Sequence, residues 1–200
     1  MQTECKRRLH MTKHIAFIDV ETTGMRAETS EVIELGVMLG EYEGNRIVRV
    51  ADEYCEFQDP FYSISPVITQ LTGITDQMVR GKSLDMDRIL KILDQADGIV
   101  AHNASFDRGF VSRLLPETLD MDWYCSVRQI KWKNYGFENG KLQQLLRAHR
   151  IQVHNAHRAL DDAKNLAVLL NSSNPNLADD TFISYLMNKA PMKKPTKSRF

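Results

Sequence analysis

Two carboxylates interrupt an apolar segment near the N-terminus. Residues 17–24 read FIDVETTG, and Asp19 and Glu21 stand where a buried strand would carry apolar residues. Side chains alternate between the faces of a strand, so these two acids share one face. Burying them together is unfavourable unless a cation such as Mg²⁺ or Mn²⁺, which prefers oxygen ligands, offsets their charge. The alternative is a strand that ends at Val20 and a Glu21 that points to solvent.

A third acid, Asp107, lies in HNASFDRGF, residues 102–110. If this segment is helical, Phe110, Val111 and Leu114 follow Asp107 on the same side of the helix. Asp107 would then head an apolar stripe and face the interior. The alternative is a purely structural role, because an acid in the first turn stabilises the helix dipole.

A fourth acid and a histidine lie in NAHRALDDAKNLAVLL, residues 155–170. Winding this segment as a helix places Asp162 at the edge of the apolar face and Asp161 on the polar side. His157 precedes Asp162 by five residues and would project over whatever Asp162 binds. A lone histidine is more often a surface or hydrogen-bonded residue, so its role depends on its neighbours.

Four acids at the margins of apolar surfaces, without matching buried basic residues, indicate a metal site, with two ions about 4 Å apart. Two such ions can hold a phosphodiester, activate a water molecule and stabilise the leaving oxygen. His157 would act as the general base, because an imidazole pKa near 6.5 suits proton transfer at neutral pH. The residues therefore predict metal-assisted phosphodiester hydrolysis.

The surrounding pattern predicts the elements that position these residues. Three β-rich segments come first and predict an antiparallel meander, and helices then alternate with short strands, which is typical of an α/β sheet flanked by helices. The predicted strands are 14–21, 31–40, 46–57, 98–102 and 121–125, and the predicted longer helices are 83–97, 105–115, 141–149, 157–170 and 177–189.

These segments resemble the three motifs of the DnaQ-like, DEDDh-type 3′→5′ exonucleases. The matching segments are FIDVETTG, VAHNASFDRGFV and HNAHRALDDA, in which histidine and the last aspartate are separated by four residues. The resemblance implies a ribonuclease H-like fold with a mixed five-stranded sheet, its first three strands antiparallel. It also implies two divalent cations, Mg²⁺ or Mn²⁺. Their ligands would be Asp19, Glu21, Asp107 and Asp162, with His157 as the base.

The same resemblance suggests residues that bind the 3′ end of the substrate. The candidates are Thr22, Thr23, Leu71, Thr72, Gly73, His102 and Asn103. LTGIT, residues 71–75, is similar to the family segment beside the terminal nucleotide, and it would equally suit a helix C-cap followed by a turn. The threonines of the Gly-ended loop could hold the terminal sugar or phosphate, or cap the turn. Phe106 and Phe110 could stack on bases, although aromatic residues four positions apart on a helix more often belong to the core.

Charge is distributed unevenly along the chain. The totals of 26 basic and 26 acidic residues cancel, but both ends are rich in Lys and Arg, so the body between them is acidic and a large basic groove is not expected. We expect a basic extension over residues 1–13, an exonuclease domain over 14–189 and a basic, disordered tail over 190–200. Cys5, Cys55 and Cys125 form no disulfide or zinc pattern, and no apolar segment is long enough to cross a membrane, which favours a cytoplasmic protein.

The sequence thus predicts an exonuclease that releases nucleoside 5′-monophosphates from the 3′ ends of single-stranded DNA. Trimming of RNA is the first alternative. A proofreading subunit that acts only within a polymerase complex, docked through the C-terminal tail, is the second. A binding module that has lost the chemistry is disfavoured, because all five catalytic positions are filled.

Overall fold

A mixed five-stranded sheet forms the centre of the molecule. The computed structural model describes residues 13–153, 157–173 and 181–195. The strands are β1 (Lys13–Thr22), β2 (Val32–Glu43), β3 (Arg46–Phe57), β4 (Gly98–Ala101) and β5 (Trp123–Cys125). Their order is β3-β2-β1-β4-β5; β2 pairs antiparallel with both β1 and β3, whereas β4 pairs parallel with β1 and β5 pairs parallel with β4. The predicted mixed sheet with an antiparallel first half is confirmed.

Helices lie on both faces of this sheet. They are α1 (Pro66–Thr72), α2 (Asp76–Val79), α3 (Met86–Leu93), α4 (Ala104–Leu114), α5 (Ser126–Gln129), α6 (Leu142–Ala148), α7 (Ala159–Leu170) and α8 (Phe182–Met187). Two 3₁₀ turns, Pro116–Leu119 and Trp132–Tyr135, complete the set. The predicted helix 177–189 is shorter than expected, and residues 177–180 lie outside the described residues.

The central position of β1 explains its two apolar faces. Ala16 and Ile18 pack in a core cluster with α3 and α4, while Ile15 and Phe17 pack in a second cluster with α7 and α8. Each fully buried Ile or Phe side chain contributes about 1.5 to 3 kcal/mol to the free energy of unfolding. Because both faces are covered, the strand holds its far end, which carries Asp19, in a fixed position between the two layers.

The start of α7 lies directly against β2. A Cβ atom at Gly36 would come within 2.2 Å of the backbone nitrogen of Leu160, so no other residue fits there without displacing the helix. The pattern predicted this helix from residue 157, but it begins at Ala159, because His157 has a φ of +62° and Arg158 is extended. The close approach brings the first turn of α7 over the end of β1.

The segment 190–195 contacts the body of the protein. The Met192 amide donates to the Trp123 carbonyl at 2.7 Å, and the Arg108 guanidinium donates to the Lys193 carbonyl at 3.0 Å. This part of the expected tail is therefore held against β5 and α4. Residues 1–12 and 196–200 lie outside the described residues, and the predicted domain boundaries stay a prediction.

Two further observations concern the membrane and the thiols. Within the described residues, none of the helices combines the length and the hydrophobicity that spanning a bilayer would require. Cys55 and Cys125 are free thiols, and Cys5 lies outside the described residues.

Candidate active site

The five predicted catalytic residues meet at one cavity. Asp19 and Glu21 lie near the end of β1, Asp107 lies in the first turn of α4, and Asp162 lies in the first turn of α7. His157 precedes α7 by two residues. All five side chains line a cavity of about 500 Å³. Three segments that are far apart in the sequence are thus brought together by the central strand and the first turns of two helices.

Burial makes the carboxylates of this cavity difficult to ionise. Burial, and next the charge of Asp107, raises the pKa of Asp19 well above its usual range. Burial, followed by the charge of Asp162, raises the pKa of Glu21 to about 8. Burial also raises the pKa of Asp107 to about 7 and raises the pKa of Asp162. Such shifts mean that the ionised forms of these four acids are disfavoured in the metal-free cavity.

The donor set fits divalent cations. Among the described residues, no Lys or Arg side chain forms an ion pair with any of the four acids. One ligand atom from each of Glu21, His157 and Asp162 lies within 4.8 Å of the others, a separation that one ion can bridge. Carboxylate oxygens are the ligands that Mg²⁺ and Mn²⁺ prefer. A bound cation would supply the positive charge that the described Lys and Arg side chains do not provide through ion pairs with these acids.

The backbone holds His157 in an unusual conformation. Its φ of +62° lies in the left-handed region, which costs a non-glycine residue about 1 kcal/mol or more. Its amide donates to Asp162 Oδ2 at 3.1 Å, and Gln143 Nε2 lies 3.4 Å from Asp162 Oδ1. The imidazole therefore faces the cavity beside Asp162. Asp162 is 7% exposed and lines the cavity, whereas Asp161 is half-buried and is not among the lining residues.

A fifth buried carboxylate, Glu34, was not identified from the sequence. It lies opposite Glu21 on β2 and is 1% exposed. Arg158 donates to it through Nε at 3.0 Å and Nη2 at 2.6 Å, and the Ala159 amide donates at 3.0 Å. The available signals were an acid within the apolar segment EVIELGVML and an arginine directly after His157.

Thr22 and Thr23 form hydrogen bonds within the loop after β1. Thr22 Oγ1 donates to the Gly24 carbonyl at 2.6 Å. Thr23 Oγ1 accepts from the Glu31 amide at 2.9 Å and lies 2.8 Å from the Tyr62 hydroxyl. Neither threonine is among the residues that line the catalytic cavity. Both hydroxyls order the turn, and their contact with substrate stays a prediction.

The LTGIT segment ends α1. Gly73 is the C-cap, with a φ of +74° and an amide that donates to the Thr69 carbonyl. Thr72 is buried, and its hydroxyl donates to the Ile68 carbonyl at 3.0 Å. Leu71 is 55% exposed. The C-cap interpretation describes the backbone of this segment, and Leu71 is the side chain that remains free to contact a ligand.

His102 and Asn103 both line the cavity. Burial lowers the pKa of His102 to about 4, so its imidazole is neutral at pH 7. Nε2 lies 2.7 Å from the Gly140 carbonyl, which can only accept, so Nε2 carries the proton and Nδ1 accepts from the Ser126 hydroxyl at 2.8 Å. His102 thus joins the second motif to the first residue of α5 and to the loop before α6, while Asn103 is exposed at the start of α4.

Helix α6 and the residue before it supply polar side chains that the motifs do not contain. Lys141, Gln143, Gln144 and Arg147 line the same cavity. The sequence pattern predicted a helix over 141–149 but did not show that its polar side faces the carboxylates. Phe106 also lines the cavity, whereas Phe110 is 2% exposed and belongs to the core.

The fold and the arrangement of carboxylates define a nuclease of the ribonuclease H-like class. The family model of the RNase_T exonucleases matches residues 16–170, and the chain belongs to this exonuclease family. The predicted DnaQ-like superfamily is confirmed, and so is the predicted enzyme class, an exonuclease that hydrolyses phosphodiesters.

The curated relatives include much longer proteins. DNA polymerase III of the PolC type from Clostridium perfringens is 33% identical over 161 residues, which are 78% of this chain and 11% of that polymerase. The PolC-type polymerase of Bacillus subtilis is 31% identical over 171 residues, 82% of this chain and 12% of that protein. The chain therefore spans about a tenth of the length of these relatives.

Solved structures share the fold. Exonuclease X in complex with 5′ overhanging duplex DNA has a TM-score of 0.58 and 24% identity, covering 85% of this chain and 99% of that one. E. coli Exonuclease I in complex with a dT13 oligonucleotide has a TM-score of 0.65 and 18% identity, covering 82% and 42%. The nuclease domain of 3′hExo, a DEDDh family member bound to rAMP, has a TM-score of 0.61 and 20% identity, covering 80% and 90%. The ribonuclease H-like fold is confirmed.

Proposed function

We propose that the chain is a metal-dependent 3′→5′ exonuclease that hydrolyses single-stranded DNA to nucleoside 5′-monophosphates. The observation that carries this proposal is the cavity in which four acids, none of them ion-paired with a Lys or Arg among the described residues, meet His157. Two divalent cations, Mg²⁺ or Mn²⁺, would supply the positive charge that stabilises the attacked phosphate and the leaving oxygen. Asp19, Glu21, Asp107 and Asp162 would hold these ions through carboxylate oxygens.

His157 is the proposed general base. Its position at the cavity wall and the hydrogen bond from its amide to Asp162 place the imidazole beside the carboxylates. An imidazole accepts the proton of the attacking water at neutral pH, because its intrinsic pKa is close to that pH. The positive charge that it gains is favourable next to four acids. Asp162 thus has two roles, as a proposed metal ligand and as the acceptor that positions His157.

The substrate candidates divide into two groups around the cavity. His102 and Asn103 line it directly, and the proposal gives them contacts with the terminal nucleotide. The loop of Thr22 and Thr23 and the end of α1 at residues 71–73 would hold the 3′ end from the other sides. Leu71 is exposed enough to contact a base, whereas the Thr72 side chain would act through the shape of the C-cap.

DNA is the preferred substrate in this proposal. The curated relatives are DNA polymerases, and two of the similar structures are described as complexes with DNA. RNA trimming is the second candidate, and the structure of 3′hExo bound to rAMP favours it. The ribose 2′-hydroxyl is the group that would distinguish the two substrates. A proofreading role inside a polymerase complex fits the PolC-type relatives, and the cytoplasmic location stays a prediction.

The test is a cleavage assay on 5′-labelled single strands of DNA and RNA with Mg²⁺ or Mn²⁺, run beside the Asp19→Asn variant. We expect a ladder of strands shortened from the 3′ end, release of 5′-monophosphates, faster cleavage of DNA, and no products with EDTA or with the variant. Internal cleavage, or products that persist in EDTA, would refute the mechanism. Faster cleavage of RNA would replace the proposed substrate with the second candidate.

A further inference from the structure

A basic groove lies beside the catalytic cavity. It is a depression of about 690 Å³ whose wall carries the exposed side chains of Arg128, Lys131 and Lys133 and no carboxylate. The surrounding residues 126–150 contain six Lys and Arg residues and one acid, Glu138, although basic and acidic residues are equal in number over the whole chain. This local concentration of charge was not apparent from the acidic average of the body.

The cations of the basic groove are available for an external ligand. In the described part of the chain, the ion pairs engage other basic residues, namely Arg49, Lys82, Arg88, Arg158 and Lys164. Arg128, Lys131 and Lys133 thus have no carboxylate partner within ion-pair distance among the described residues. Three like charges along one depression repel one another, and an anionic polymer would neutralise them.

The basic groove and the catalytic cavity adjoin. Gly140 lines the groove, and its carbonyl accepts from His102, which lines the cavity. The next residue, Lys141, lines the cavity, and its amide donates to Asn139 Oδ1 at 2.9 Å. A single peptide step therefore leads from one depression to the other, and hydrogen bonds fix the backbone on both sides of it.

The lining of the groove favours phosphates over bases. Trp132 is the aromatic residue of its wall, but the ring is 3% exposed and the indole N–H donates to the Ser126 carbonyl at 2.9 Å. No exposed ring of this wall is therefore available to stack on a base. Lysine and arginine contacts to phosphates carry no sequence information, which suits an enzyme that degrades any sequence.

We propose that the basic groove binds the phosphates of the single strand on the 5′ side of the terminal nucleotide. This inference rests on the proposed function, because it requires a strand whose 3′ end lies at the carboxylates. Nucleotides upstream of the scissile bond leave the cavity past Lys141 and lie along Lys131 and Lys133. The groove then contributes to binding of long substrates and does not contribute to the chemical step.

The test compares the double variant Lys131→Glu, Lys133→Glu with wild type on two substrates. One is a 20-nucleotide oligothymidylate, and the other is the p-nitrophenyl ester of thymidine 5′-monophosphate, which has no upstream phosphate. For the oligonucleotide at low salt, we expect kcat/KM to fall about tenfold or more, mainly because KM increases. For the ester, we expect no change in kcat/KM. The slope of log KM against log salt should decrease by about 1.4, since each single-strand phosphate contact contributes about 0.7.

The matched control is Lys91→Glu, an exposed lysine on α3, which packs on the other face of the sheet. This variant should cleave both substrates with the kcat/KM of wild type. Equal rates for wild type and the double variant on the oligonucleotide would overturn the groove proposal, and so would an equal loss by the control. An equal loss on the ester and the oligonucleotide would overturn it as well, because the effect would then lie in the chemical step. Failure of wild type on both substrates would instead refute the proposed function.

Discussion

The molecule contains two kinds of buried carboxylate on the neighbouring strands β1 and β2. Glu34 accepts hydrogen bonds from the Arg158 guanidinium, the Ala159 amide and the Cys55 thiol, and its charge is balanced inside the protein by Arg158. Asp19 and Glu21, on the neighbouring strand, have raised pKa values and no ion-pair partner among the described residues. An ion-paired buried acid fixes the structure around it, whereas buried acids without an ion pair repel one another until a bound cation neutralises them.

This difference also explains how the site is positioned. Arg158 lies between His157 and the first residue of α7, and its guanidinium lies 5.3 Å from the centre of the Phe57 ring. Glu34 therefore fixes the backbone next to the proposed base, and Gly36, two residues further along β2, lets α7 approach. Glu34, whose charge is balanced, thus helps to position His157 and the first turn of α7, which carries Asp162.

The largest effect on activity is expected from Asp19→Asn. Loss of a metal ligand should lower the rate about 1,000-fold or more, because several kcal/mol of transition-state stabilisation depend on the bound ions. Removal of one unbalanced charge should also raise the free energy of unfolding of the metal-free protein by about 1 kcal/mol at pH 8. Denaturant titration in EDTA measures this gain. A clear loss of stability would mean that Asp19 is balanced in the same way as Glu34.

His157→Ala should lower kcat by about 100-fold to 10,000-fold, which is the usual contribution of a general base. The affinity for Mn²⁺ should change little, because the carboxylates supply most of the ligands. Parallel calorimetric and kinetic titrations separate the two effects. Loss of metal affinity together with activity would show that His157 acts as a ligand, as its distance from Glu21 and Asp162 allows.

Glu34→Gln should lower the free energy of unfolding by about 2 kcal/mol, since it leaves Arg158 without its carboxylate. The matched control is Glu53→Gln. Glu53 on β3 pairs with Lys164 of α7 at 2.7 Å, but the Glu53 side chain is 47% exposed, against 1% for Glu34, so the loss should stay below about 0.5 kcal/mol. Equal losses in the two variants, measured by denaturant titration, would remove the distinction between balanced and solvated pairs.

The free energy of unfolding of the metal-free protein should decrease as pH rises, because the pKa values of the buried acids are raised. The pKa of Glu21 rises from 4.5 to about 8 and that of Asp107 from 3.8 to about 7. Between the ordinary and the raised pKa of each group, the folded state keeps a proton that the unfolded state has released. The contribution of Glu21 and Asp107 to stability is therefore present at low pH and is lost as pH rises towards 8.

Thermal unfolding in EDTA from pH 5 to pH 8, compared with the Asp19→Asn variant, measures this contribution. The slope should be steeper for wild type, and millimolar Mg²⁺ at pH 8 should restore the lost stability. A wild-type profile parallel to that of the variant, without response to Mg²⁺, would contradict the description of the acids as an unbalanced cluster.

The sequence predicted the strands well because alternation and apolar runs report burial directly. The order of the motifs predicted that Asp19, Asp107 and Asp162 lie at one site, and the structure brings them to one cavity. The separation of Asp162 from Asp161 followed from helix periodicity, and only the former lines the cavity.

The sequence could not show features that depend on contacts between distant segments. The partner of Glu34 is Arg158, 124 positions away, and no local pattern indicates such a pair. The short helix α5 and the 3₁₀ turn at 132–135 span too few residues to give a periodic signal, so the basic groove between them was not predicted. His157 was expected as the first residue of the helix, because the periodic pattern does not reveal a positive φ at that position.

The most direct test of the central claim is calorimetric titration of the metal-free protein with Mn²⁺ at pH 7.5, in two buffers of different ionisation enthalpy. We predict binding of two ions with release of protons from the carboxyls, and loss of at least one ion in the Asp19→Asn variant. The absence of binding, or binding without proton release that the variant leaves unchanged, would contradict the claim that these acids form a metal site.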